Sequence, residues 1–241
     1  MLNLSTLTSK SVFGSSITKE KELFLIDGNN YLKFLYSSYT SGSVLLKDFI
    51  DNFCRDYSSA KWFWDGEGYK ERIQALYPRY KANRKYEKDY EYYSFREKIT
   101  SDSRFEFHKR VPLEEADTQI RDFIVSNRIK KGCIFSSDAD LLQLKKYGDF
   151  KFPYVHNRSP FKDFDPLHLC VYKVLVGDAS DNIGGLEKFG PKAFSLLTDD
   201  EIMNIYNFFK KGEPLNINDK VKEKILSNKE ILKIVFNIVH L

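Results

Sequence analysis

Short apolar runs that stop abruptly at aspartate set the rhythm of this chain. Leu23-Phe24-Leu25-Ile26 is a continuous apolar stretch of strand length, and it ends at Asp27-Gly28. Lys61-Trp62-Phe63-Trp64 ends the same way at Asp65-Gly66, and Cys133-Ile134-Phe135-Ser136 ends close to Asp138. Unbroken apolarity without alternation predicts strands buried on both faces, as in a parallel sheet. Between these strands the spacing predicts helices over roughly 43–57 and 114–127, the second with Ala116, Ile120, Phe123 and Ile124 on one side. Strands alternating with helices predict an α/β fold with a mostly parallel central sheet and helices on both faces. Ligands gather at the carboxyl ends of the strands in such sheets. Three strands ending in aspartate predict a site there.

The pattern changes after Asp165-Pro166, a good N-cap and first-position pair. The chain turns helical through Leu175 and stays mostly helical to Leu241, with a loop near Gly212-Glu213-Pro214. This divides the chain into an N-terminal extension (1–20), an α/β core (21–165) and a helical region (166–241). No repeat and no low-complexity linker interrupts it.

The densest chemistry lies in Val176-Gly177-Asp178-Ala179-Ser180-Asp181-Asn182-Ile183-Gly184-Gly185, followed by Phe189-Gly190-Pro191-Lys192. Asp178 and Asp181, three residues apart, can share a hard cation. The Gly-Pro-Lys offers unpaired helix-start amides and a cation to a phosphate. A calcium loop is excluded, because the D-x-D-x-D-G spacing and its distal Glu are absent. An acid at a strand end is by itself more often a turn former or N-cap, so Asp138 could cap a helix over 139–144 and Asp178 its own turn. Several such acids, carboxylate-rich and without a nearby His or Cys, suit Mg²⁺ and exclude zinc hydrolases.

The whole chain carries 38 Lys and Arg against 34 Asp and Glu, a net charge of only +4. Three cysteines (Cys54, Cys133, Cys170), odd in number and far apart, argue for a reducing compartment and against a disulfide framework. The polar N-terminus lacks the apolar stretch of a signal peptide, and no apolar run approaches the ~20 residues of a membrane helix. The expectation is a soluble protein of the cytoplasm with no membrane partner.

From Lys70 to Arg110 cations (Arg72, Arg79, Lys81, Arg84, Lys85, Lys88, Arg96, Lys98, Arg104, Lys109, Arg110) interleave with Tyr77, Tyr80, Tyr86, Tyr90, Tyr92, Tyr93 and Phe95. Cations meet phosphates and aromatic faces stack on unpaired bases, so the stretch suits a single-stranded nucleic acid end. Each residue alone is more simply part of a solvated surface.

In order, the chain carries Phe24-Leu25-Ile26-Asp27-Gly28-Asn29, Trp62-Phe63-Trp64-Asp65, Arg72, Tyr80-Lys81-Ala82-Asn83-Arg84, Glu114-Glu115-Ala116-Asp117, Ser136-Ser137-Asp138-Ala139-Asp140-Leu141-Leu142-Gln143-Leu144 and the 176–192 segment. These blocks, over roughly residues 22–195, resemble the structure-specific 5′-nucleases, the flap endonucleases and 5′→3′ exonucleases of bacterial and phage type. The resemblance implies a PIN-like nuclease core, a short arch over 70–112, and a helix–hairpin–helix DNA-binding region. It implies two Mg²⁺ ions, with Mn²⁺ as a substitute: Asp27, Asp65, Glu115, Asp117 and Asp138 serving the first, Asp140, Asp178 and Asp181 the second. Within a regular helix Glu115 and Asp117 would point ~200° apart. Either both sit at the helix entrance, or one acts through water, with Glu115 the direct ligand. Setting those eight acids aside leaves 26 acids against 38 cations, a balance of +12 that a polyanion would feel.

The resemblance further implies catalytic roles for Lys81, Asp138, Asp27 and Asp65, with Lys81 at the scissile phosphate. Tyr80 would stack on the terminal base, Arg72 and Arg84 hold phosphates, and Gly185, Lys188, Gly190 and Lys192 meet the duplex. Partners would be DNA with 5′ ends, flaps or nicks, and RNA–DNA primer hybrids, bound by a monomer, in the host cytoplasm for a phage protein. Two departures stand out. About thirty residues separate Arg84 from Glu114, a short arch that would shift preference from flaps toward plain 5′ ends. Lys188 stands where the hairpin's first glycine is expected, and a non-glycine residue pays for φ > 0, so a different bend is open there; the K⁺ that the resemblance implies on the hairpin backbone depends on that bend. A non-catalytic branched-DNA binder would have no use for eight repelling carboxylates. A small-substrate Mg²⁺ hydrolase would leave the hairpin and the basic stretch without purpose.

Overall fold

The computed structural model describes residues 23–42, 45–57, 60–84, 89–155, 161 and 164–241. The expected extension (1–20) and Lys85, Tyr86 and Lys88 of the basic stretch lie outside the described residues.

Five described strands form one parallel sheet in the order β3-β2-β1-β4-β5: β1 (Phe24–Asp27), β2 (Ala60–Phe63), β3 (Glu106–Phe107), β4 (Lys131–Phe135) and β5 (Asp149–Lys151). The three apolar runs are its three central strands, with β1 in the middle. Successive side chains leave a strand on opposite faces, and both faces are covered, which is why the runs are continuous. Leu25, Phe63 and Ile134 face one layer, where they meet Ile120 and Ile124 of α5 (Ala116–Ser126). Ile26, Trp62 and Phe135 face the other, against Leu32 and Leu35 of α1 (Gly28–Thr40), Phe53 of α2 (Leu46–Asp56), and Phe95 and Ile99 of α4 (Tyr90–Thr100). Each such side chain contributes about 1.5–3 kcal/mol by leaving water.

α3 (Tyr69–Leu76) belongs to a third cluster with the helices after residue 165. At its centre is α6 (Pro166–Val176), started by Asp165, whose carboxylate accepts the Leu167 amide at 2.8 Å. Leu169, Cys170, Val171, Val174 and Leu175 are all inaccessible, and a helix apolar all round is a buried one. Around it pack α8 (Asp199–Lys211), α9 (Asp219–Ser227) and α10 (Lys229–Val239). Ile73, Tyr77 and Tyr80 are buried there too. Within the stretch expected to form an arch, α3 and its following turn lie against the helical region, and α4 lies on α1.

From the end of α6 the chain makes a two-stranded antiparallel ribbon, β6 (Gly177–Asp178) with β7 (Ile183–Gly184), then a turn into α7 (Pro191–Phe194). The ribbon brings Asp178 and Asp181 to the carboxyl end of the sheet. No described helix is long and apolar enough to cross a membrane.

Candidate metal centre

Asp27 closes β1 and caps α1, accepting the Asn30 amide at 3.2 Å and the Ser136 hydroxyl at 3.0 Å. Asp65 follows β2 and accepts the Ala116 amide at 3.0 Å. Asp138 caps the 3₁₀ helix Ala139–Tyr147, accepting the Asp140 amide at 2.9 Å, so the capping reading and the site reading describe one residue. Asp178 accepts the Ser180 amide and hydroxyl at 2.8 and 2.6 Å. Glu115 is the N-cap of α5 in an extended conformation (φ −77°, ψ 157°), and Asp117 lies in the first turn. The helix entrance therefore resolves the angular conflict between them.

Burial is severe. It pushes the Asp27 carboxyl up to about 7, helped by the charges of Asp65 and Asp138. It pushes Asp140 up to about 8, helped by Asp138 and against Lys173. Asp117 is raised well above the carboxylate range by burial, Glu115 and Asp138. Asp65 is raised by burial, and by Glu115 against the Ala116 amide and Lys81; Asp181 is raised by burial, against Lys81. The acids thus feel one another although more than 150 residues separate Asp27 from Asp181. Asp178 alone is lowered: burial would raise it, but the Lys173 charge and hydrogen bond and the Ser180 donors prevail.

Asp140, Asp178 and Asp181 each place a carboxylate oxygen within 4.8 Å of the others. No other group of three such side chains comes as close among the described residues. The remaining acids have other partners here. Glu115 Oε1 accepts from Lys81 Nζ at 2.6 Å and from the Tyr80 hydroxyl at 2.7 Å, while Asp117 accepts the Thr118 amide at 2.5 Å. An all-carboxylate donor set with oxygens at this spacing fits a hard divalent cation.

Two buried lysines counter the acids. Lys81 reaches Glu115 and, at 3.9 Å, Asp181, and its own amide donates to the Asp181 carbonyl at 2.8 Å. Burial opposes its charge, but Glu115 and Asp181 raise its pKa. Lys173 joins Asp140 and, at 2.5 Å, Asp178, and those charges likewise overcome burial. Sequence reading missed Lys173. The signal was a lone cation within the apolar helix α6, five residues ahead of Asp178.

The expected nucleic-acid residues are placed differently from one another. Arg84 pairs with Asp181 at 2.7 Å, beside the acids. Arg72 is exposed, its Nε donating to the Leu113 carbonyl at 2.8 Å. The stacking expected of Tyr80 is corrected: the ring is 1% exposed in the helical core, and its hydroxyl orients Glu115. A Cβ on Gly185 would come within 2.3–2.5 Å of the Val176 backbone and the Leu175 carbonyl, so this glycine serves the close approach of the ribbon to α6. Lys192 and Lys188 are exposed, and Gly190 caps α7. Lys188 itself adopts φ 55°, the left-handed conformation a glycine would supply.

No family model matches the chain. Over 114 residues, 42% of the chain, it is 33% identical to a 5′-3′ exonuclease of Mycoplasma genitalium, and it spans 38% of that protein's length. The same α/β architecture is seen in a bacteriophage T5 protein co-crystallised with metal ions: TM-score 0.63, 18% identity, 90% of this chain and 88% of that one. The T5 5′-exonuclease with bound zinc gives a TM-score of 0.60 at 18% identity, again over 90% and 88% of the two chains. The T5 flap endonuclease in a pseudo-enzyme–product complex with DNA and metal ions gives 0.58 at 18% identity over the same shares. At that identity the likeness is one of fold.

Proposed function

We propose that this chain is a divalent-metal-dependent 5′-nuclease, a member of the 5′→3′ exonuclease and flap endonuclease family, that hydrolyses phosphodiesters at 5′ ends, nicks or flaps of DNA. The observation that carries this reading is the gathering of eight acids, from five separate stretches, at one end of the sheet, in the fold of the T5 5′-exonuclease. The relative from Mycoplasma genitalium and the DNA-bound T5 enzyme support the same substrate class. A branched-DNA binder without activity gains nothing from burying so many carboxylates, each costly to desolvate unless a cation compensates.

Asp140, Asp178 and Asp181 would hold one Mg²⁺ or Mn²⁺, and Asp27, Asp65, Glu115, Asp117 and Asp138 the other. Such a pair supplies a hydroxide-like nucleophile and neutralises charge on the phosphoryl oxygens. The chain's own residues do the rest. Lys81, once its contact with Glu115 loosens, offers an ammonium to the developing phosphoryl charge, and Tyr80 keeps Glu115 aimed at the centre. Arg84 bridges Asp181 and an incoming phosphate, while Lys192, by its side chain and its amide, meets the duplex backbone. The hairpin region would span α6 to α7, and K⁺ on its backbone belongs to the same proposal, supported by the left-handed backbone of Lys188. A monomer acting in replication or repair, on DNA or on RNA primers, completes it.

The test is cleavage of labelled flap, nicked and blunt duplexes with Mg²⁺, with Mn²⁺ and with EDTA. Short 5′ products only with a divalent ion are expected. No product on any substrate with either ion would contradict the proposal.

A further inference from the structure

Arg96 and Arg110 contact none of the eight acids, yet both stand over one side chain beside them. Their guanidinium carbons lie 4.6 and 5.7 Å from the ring centroid of Trp64. That indole is 2% exposed and packs on Gly28, where an added Cβ would come within 2.8 Å of it, so it is a fixed floor. Trp64 immediately precedes Asp65, and Gly28 immediately follows Asp27. The floor therefore lies on the Asp27–Asp65 side of the cluster, whereas Lys81 and Arg84 hold Glu115 and Asp181.

Neither Arg96 nor Arg110 is ion-paired with a described residue, whereas Arg84 on the other side of the cluster pairs with Asp181. Burial and then the neighbouring Arg96 charge lower the Arg110 pKa, against the Asp65 charge, so the two cations stand close enough to feel one another. Cation–aromatic attraction holds a guanidinium in place while leaving its N–H fork free. Two such forks over one ring make a preformed anion receptor.

We propose that Arg96 and Arg110, seated on Trp64, bind the terminal 5′-phosphate of the substrate strand. A phosphate monoester carries about −1.5 to −2 at neutral pH, which matches two guanidiniums, whereas an internal diester carries one charge. The indole is 2% exposed and has no open face for stacking, so this place reads a phosphate and not a base. The inference rests on the 5′-nuclease reading and adds to it the chemical state of the preferred end.

Binding of two nicked duplexes, identical except for a 5′-phosphate or a 5′-hydroxyl on the downstream strand, tests it by fluorescence anisotropy in EDTA. Roughly tenfold tighter binding of the phosphorylated duplex is expected, a magnitude typical of charge-assisted contacts. The ratio should fall to about one in R110Q and in R96Q/R110Q, with thermal unfolding confirming that both fold. Arg110 is exposed, so R110Q alone suffices should the double variant not fold. Equal affinity of the wild-type protein for both duplexes overturns the proposal. So does a ratio that survives in R110Q, or a variant that weakens both duplexes equally, which would mark an internal phosphate. The same duplexes incubated with Mn²⁺ separate the two readings. Failure to cut either would count against the nuclease, while the affinity ratio still decides the subsite.

Discussion

At the scale of the residue, the centre is an arrangement of acids held by lysines and a tyrosine. Lys81 Nζ at 2.6 Å from Glu115 is the side chain best placed to follow charge onto a phosphate. Lys81→Ala should slow single-turnover cleavage by roughly 10²–10³-fold with little change in substrate affinity, the pattern of a lost transition-state contact. Weakened affinity with an unchanged single-turnover rate would refute that role. Tyr80→Phe removes only the donor to Glu115 and should cost about 0.5–1.5 kcal/mol in urea unfolding; an unchanged midpoint would mean the hydroxyl holds nothing. The acids were legible because each ends an apolar run or sits in a tight motif. The partners of those acids were not. Tyr80 reads in sequence as one of several aromatics in a basic stretch, and only its burial in the cluster it shares with α6 and α8 shows that it faces inward. Lys173 could be read as a lone cation in an apolar helix, but not which acids it meets.

At the scale of the element, legibility follows length and burial. The central strands β1, β2 and β4, and helices α2, α5 and α6, announce themselves through apolar runs or one-sided spacing. β3 and β5 are edge strands of two and three residues, too short for a pattern to build. The ribbon and turn before α7 were legible as a motif, but the conformation of the turn at Lys188 was not, because a lysine gives no hint of φ 55°. Holding a non-glycine residue there costs about 1 kcal/mol. Lys188→Gly should therefore leave the turn intact and raise stability by up to about 1 kcal/mol, read as a higher Tm; a lower Tm would show that the side chain contributes more than the strain. In α7, Lys192→Glu should weaken duplex binding and flatten its salt dependence. An unchanged slope would take α7 off the DNA surface.

At the scale of the whole molecule, folding concentrates carboxylates that water would rather keep. Asp27 and Asp140 rise from 3.8 to about 7 and about 8, so from about pH 4 to pH 8 the folded chain keeps protons that the unfolded chain has released. Stability must fall as pH rises through that window. Each tenfold change in proton affinity is worth about 1.4 kcal/mol, so the metal-free protein should lose at least about 2 kcal/mol between pH 5 and pH 8. Mn²⁺ should abolish much of that loss, because it binds the ionised acids of the folded chain alone. Tm measured against pH with and without Mn²⁺ checks this, and a metal-free profile that rises with pH would contradict it. The same concentration explains why the modest net charge of +4 is a poor guide to the surface. The central claim is that these acids act together on a phosphodiester, and Asp138 lies between both groups of them, its charge raising Asp27, Asp117 and Asp140. The most direct measurement is single-turnover cleavage of a labelled 5′-flap duplex by the wild-type protein and by D138N in Mn²⁺. The account predicts cleavage reduced by at least about 10³-fold in D138N with duplex binding retained or tightened; cleavage at the parental rate would contradict it.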